Sequence, residues 1–116
     1  MGFSMGATWG DYDLDGRQDL YVSTMFSKAG RRVTEHMSGL DARFRVAAEG
    51  NLLYRNAGDS TFEKVSGLKP PALEVAQADW SWGGQFTDVN NDGRLDLYVS
   101  SGFYTAPEEF AVDVDL

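Results

Sequence analysis

The sequence predicts an all-β fold with a short helical insertion, four strands forming one complete set and two more beginning a second. Two observations carry this. The chain repeats itself at an offset of 77, Asp11 falling on Asp88, and each repeated stretch sets a tight acidic loop between two strand-like segments. From Asp11 to Ser23 and from Asp88 to Ser100 thirteen consecutive positions match or nearly match, ending in an identical Asp-Leu-Tyr-Val-Ser.

Each copy reads as strand, acidic loop, strand. Gly6 to Gly10 and Gly83 to Thr87 lead in; Leu20 to Ser23 and Leu97 to Ser100, rich in β-branched and aromatic residues, lead out. Between the copies, Asn51 to Asn56 predicts a third strand, Ala57 to Ser60 a turn, and Thr61 to Val65, alternating with period 2, a fourth. Two stretches break the pattern. Residues 27–49 hold few β-branched residues, and Leu40, Phe44 and Ala47 or Ala48 are spaced for one face of a short helix. Gly67 to Gln77, with Pro70-Pro71, reads as a connecting loop. The expected organisation is a first unit over 1–66 with its helical insertion at about 27–49, a connection over 67–80, and the first half of a second unit over 81–116.

With 116 residues and 42% hydrophobic content, the chain supports one compact core. A formal charge of −8 argues against nucleic-acid or anionic-membrane binding, which needs a basic face. Without cysteine, disulfides and thiolate metal sites are excluded, leaving oxygen ligands or the single His36 for any metal. His36 has no neighbouring nucleophile or second nitrogen ligand and reads as a surface histidine. No apolar run approaches the roughly 20 residues of a membrane span, and the N-terminus lacks the basic and apolar regions of a signal peptide.

The acidity is concentrated. Seven of the eighteen acidic residues lie in the two loops, which follow the pattern D-x-[DN]-x-D-G-x-x-D, and two bound Ca²⁺ ions would bring −8 to −4. Ca²⁺ takes six to eight oxygens at about 2.3 to 2.6 Å, so a loop serving it must turn several carboxylates onto one point. Alternate residues do this. The candidate ligands are Asp11, Asp13, Asp15, the backbone carbonyl of Arg17 and Asp19 in the first loop, and Asp88, Asn90, Asp92, the carbonyl of Arg94 and Asp96 in the second. Gly16 and Gly93 occupy position 6, where the turn calls for positive φ. Loop position 12, which in an EF-hand is a bidentate Glu, is Val22 and Val99, so the loops join strands and are not EF-hands. One Asp-rich cluster is more often a plain turn; two in register point to metal.

Other residues have plainer roles open to them. Trp9, Tyr21, Trp80, Trp82, Phe86 and Tyr98 could stack on a glycan, but their strand positions favour core packing. Arg31, Arg32, Arg43 and Arg45 read as a solvated helical face. Asp79, Glu108 or Glu109 beside a loop-bound metal would suit a hydrolase, yet loops that nearly fill a Ca²⁺ shell leave little room for substrate. A noncatalytic calcium-binding module is the expectation, a metal-assisted hydrolase fragment or a piece without independent function the alternatives.

Trp9 to Val22, Asn51 to Val65 and Phe86 to Val99, in that order, resemble the FG-GAP/VCBS repeat family, closest to bacterial proteins in which such repeats accompany an ASPIC/UnbV-type domain. The resemblance implies β-propeller blades like those of integrin α heads, with Ca²⁺ between the first two strands of a blade, here at the ten positions named above. It implies one complete propeller-type blade plus half of a second, as in a fragment, and an extracellular or periplasmic location. A propeller needs about four to eight blades, so uncovered strand edges predict a homo-oligomer, with a protein or glycan as a possible further ligand.

Overall fold

The computed structural model describes residues 4–26, 39, 41, 43 and 49–102. The helical insertion expected over 27–49 lies almost wholly outside the described residues, as do His36, Arg31, Arg32, Arg45, Glu108 and Glu109.

Among the described residues, six antiparallel strands form two sheets. β1 (Gly6–Gly10), β2 (Asp19–Ser23), β3 (Leu52–Gly58) and β4 (Thr61–Lys64) lie side by side in sequence order; β5 (Ser81–Thr87) and β6 (Asp96–Ser101) make a separate pair. The repeat is reproduced in register: Gly10 pairs with Asp19 as Thr87 pairs with Asp96, and Trp9 with Leu20 as Phe86 with Leu97. Each acidic loop therefore bridges the first two strands of its unit. β3 and β4 turn through Asp59 and Ser60, both at positive φ (50° and 61°), the two-residue turn whose twist matches a hairpin. The connection after β4 folds back, with Leu73 N–H donating to Val65 O and Gly67 N–H to Leu73 O, both at 2.9 Å.

Alternation decides which side chains meet. In β2, Asp19, Tyr21 and Ser23 are buried while Leu20 and Val22 are half-buried, and Tyr21 pairs with Thr8 and Leu53 on the same side of the sheet. That side faces the β5–β6 pair. Tyr21, Leu53 and Phe86 form the core, with Val65, Leu95, Leu97 and Val99 packed around them, and the Tyr21 and Phe86 rings meet edge to face at 6.4 Å. The aromatic residues thus divide. Tyr21 and Phe86 are core, as expected, whereas Trp9, Trp82 and Tyr98 are more than half exposed. The reason is positional: Trp9 and Tyr98 stand on the sides that the two sheets turn away from each other, and Trp82 sits at the bulge in β5, where the register shifts between Ser81 and Gly83.

A polar clasp reinforces the contact between the sheets. Asn51, just before β3 and 1% exposed, accepts the Thr24 N–H at Oδ1 (2.7 Å) and donates from Nδ2 to Ser81 Oγ (2.8 Å), whose hydroxyl donates to Ala78 O (2.7 Å). Asn51 N–H donates in turn to Ala76 O (2.8 Å). One side chain so links the end of β2, the start of β3 and the start of β5.

Candidate metal centre

The two loops share one hydrogen-bond scaffold. In the first, Asp11 accepts the N–H of Asp15 (3.0 Å) and of Gly16 (2.8 Å), Asp13 accepts that of Asp15 (3.3 Å), Asp15 that of Arg17 (2.9 Å), and Asp19 that of Tyr12 (3.2 Å). In the second, Asp88 accepts the N–H of Asp92 (3.1 Å) and Gly93 (2.8 Å), Asn90 that of Asp92 (2.9 Å), Asp92 that of Arg94 (2.9 Å), and Asp96 that of Val89 (3.1 Å). All five contacts recur at equivalent positions.

Backbone conformation recurs with them. Gly16 and Gly93 have φ of 85° and 83°, as position 6 requires. Position 4 is also left-handed, at Leu14 (φ 60°) and Asn91 (φ 59°). Asn adopts that conformation readily; a bulky apolar residue such as Leu rarely does, so Leu14 carries local strain.

The scaffold turns carboxylates inward. One oxygen each from Asp11, Asp13 and Asp15 lies within 4.8 Å of the others. Asp19 stands apart. It is fully buried, and its two oxygens are taken by backbone N–H groups of Tyr12 and, at 2.8 Å, of Asn56 on β3. Its evident work is to fasten the loop to the sheet, a role that pattern alone did not distinguish from ligation. Asn56 adds a second tie by donating from Nδ2 to Gln18 O (3.2 Å).

Charge at the two loops differs. In the first, Arg55 on β3 donates from Nε to Asp13 Oδ2 (2.8 Å) and places Nη2 3.6 Å from Asp15 Oδ2, while Arg17 pairs with Asp15 and donates from Nε to Asn56 O (2.9 Å). The hydrogen bond to Asp13 holds the Arg55 guanidinium above its usual pKa. Burial, then the charges of Asp13 and Asp19, push the Tyr12 phenol up, with Arg55 opposing. In the second loop Asn90 replaces one carboxylate and donates to Asp92 Oδ2 (3.1 Å). The donor set at both loops is oxygen throughout, which suits a hard cation.

An internal repeat of strand, acidic loop and strand, stacked sheet on sheet, defines a repeat-built β module of partial propeller-like arrangement. The sequence profile of the FG-GAP-like repeat family matches residues 42–99, half of the chain, and the protein belongs to that family. The matched span takes in β3, β4, β5, the second acidic loop and β6 as far as Val99. Comparisons with curated proteins and with solved structures give no match.

Proposed function

We propose that the protein is a noncatalytic calcium-binding repeat module, in which one Ca²⁺ at each loop pins the first two strands of a blade together. The reading is supported above all by the recurrence of the same five backbone contacts in two loops 77 residues apart, the first of which brings oxygens of Asp11, Asp13 and Asp15 within 4.8 Å of one another. Asp11, Asp13 and Asp15 in one loop and Asp88, Asn90 and Asp92 in the other would supply side-chain ligands, with the carbonyls of Arg17 and Arg94. Asp19 and Asp96 would close the shell directly or by bracing the loop.

Arg55 and Arg17 already set positive charge against the first cluster, so the cation there must displace or share with a guanidinium. Family membership supports a structural or interaction role, and an extracellular or periplasmic setting, where calcium reaches millimolar levels and loops of modest affinity would be filled. The order of motifs supports placing the chain with VCBS-type repeats.

Thermal unfolding with Ca²⁺ and with EDTA tests this. A ligand at about 100 times its Kd stabilises the folded state by about 2.7 kcal/mol per site. The melting temperature should rise with Ca²⁺ and return with EDTA; indifference to both would defeat the proposal.

A further inference from the structure

The two loops share a backbone scaffold but differ in what stands against their carboxylates. The first holds four, Asp11, Asp13, Asp15 and Asp19; the second holds three, because Asn90 takes the place of Asp13. By ligand charge alone the first should bind a divalent cation more tightly. Its neighbours reverse that order. Arg55, reaching from the middle of β3, donates from Nε to Asp13 Oδ2 at 2.8 Å and sets Nη2 3.6 Å from Asp15 Oδ2, and Arg17 pairs with that same Asp15 oxygen. In the second loop no salt bridge reaches Asp88, Asp92 or Asp96 among the described residues, and Asp92 accepts a neutral hydrogen bond from Asn90 Nδ2 at 3.1 Å. Four carboxylates against two paired guanidiniums leave the first loop at −2; three against none leave the second at −3.

The position of Arg55 is built into the sheet. Asn56, the next residue on β3, donates its N–H to Asp19 (2.8 Å) and its Nδ2 to Gln18 O (3.2 Å), and its carbonyl accepts Arg17 Nε (2.9 Å). These contacts bring the first loop and the third strand together without using Asp13, so Arg55 arrives beside the cluster by virtue of the fold. Its side chain is 41% exposed, as is that of Arg17, so water screens both charges and their effect is that of surface charges facing a divalent ion.

We infer that Arg55, seconded by Arg17, is a built-in competitor for calcium at the first loop, so that the second loop fills first although it has one carboxylate fewer. The inference rests on the calcium reading and adds to it an order of filling and the residue that sets it. While calcium is scarce, the guanidinium neutralises Asp13, and the Asn56 contacts keep the first loop fastened to β3. The second loop, without such a partner, depends on the metal. One corner of the fold is thus held at every calcium level, and the other responds as calcium rises.

Calorimetric titration of Ca²⁺ into proteins with one loop disabled tests this. Asp88→Asn/Asp92→Asn leaves the first loop to report, and Asp13→Asn/Asp15→Asn the second. The second loop should bind about tenfold more tightly than the first, the size expected of one net charge facing a divalent ion across a screened surface. In the background that reports the first loop, Arg55→Gln should tighten binding about tenfold, whereas Arg55→Lys, which keeps the charge, should tighten it far less. Where Arg55→Gln loses its cooperative melt, Arg17→Gln replaces it and should shift affinity in the same direction. Unchanged or weaker calcium binding by a folded neutral variant would overturn the inference and leave the calcium reading intact, as would a first loop that outbinds the second with both arginines in place. No heat of binding in either background would remove the calcium reading itself, and this inference with it.

Discussion

Replacing Asn51 with Ala should unfold this protein more readily than any surface change. The side chain is 1% exposed and both ends of its amide are engaged, the oxygen accepting the Thr24 N–H at 2.7 Å and the nitrogen donating to Ser81 Oγ at 2.8 Å. Truncation leaves the buried Thr24 N–H without its acceptor, at about 1 to 3 kcal/mol, and removes a second buried bond of about 1 kcal/mol. The total is about 3 kcal/mol, a large share of the roughly 5 to 15 kcal/mol that a domain possesses, and about 10 °C or more in melting temperature. Urea unfolding followed by far-UV circular dichroism measures the first, a thermal scan the second. A double-mutant cycle with Ser81→Ala should return a coupling of at least about 0.5 kcal/mol, since the two side chains share one bond. An Asn51→Ala protein within about 0.5 kcal/mol of wild type would refute the reasoning that one amide clasps the two sheets.

Three more changes probe the core and the loops. Tyr21→Phe should be neutral or stabilising by about 0 to 1 kcal/mol in urea melts, because Tyr21 Oη is buried without a well-formed hydrogen bond. The same burial pushes the Tyr21 phenol from 10.0 up to about 12, so spectrophotometric titration should find it ionising above the ordinary tyrosine value, and the stability its neutral form contributes should be lost as pH rises from about 10 towards about 12. Gly84→Ala should cost about 1 to 3 kcal/mol by forcing a methyl against the Tyr21 ring, measured by the same melts, whereas Gly83→Ala, whose nearest neighbour would be Ser100 Oγ at 3.9 Å, should cost less. Asp19→Asn in EDTA should destabilise more than Asp96→Asn, since Asp19 is fully buried and accepts two backbone N–H groups where Asp96 is half-buried and accepts that of Val89.

Much of the architecture could be read from residue order. The 77-residue offset gave the equivalence of β1–β2 with β5–β6, and the strand-like run after Asn51 and the period-2 alternation after Ser60 located β3 and β4 to within a few residues of their observed ends. The loops were legible because Asp, Asn and Gly at fixed spacing have few other reasons to recur. What stayed hidden depends on contact between distant segments. Asn51 looked like a strand end; only the approach of Thr24 and Ser81 makes it a clasp. Arg55, in the middle of a predicted strand, gave no sign that it would reach Asp13, 42 residues away. Asp19 and Asp15 fit the loop pattern equally well, yet one is buried among backbone donors and the other faces its neighbouring carboxylates. Alternation also could not say which side of a strand would be covered, so Tyr21 and Tyr98, identical in local sequence, end with opposite exposure.

Calorimetric titration of Ca²⁺ into the metal-free protein tests the central claim most directly. Two sites are predicted for wild type, one for Asp15→Asn/Asp13→Asn, one for Asp92→Asn/Asp88→Asn, and none when all four changes are combined. A single site that survives both sets of changes, or no heat of binding at millimolar Ca²⁺, would contradict the assignment of calcium to the paired loops.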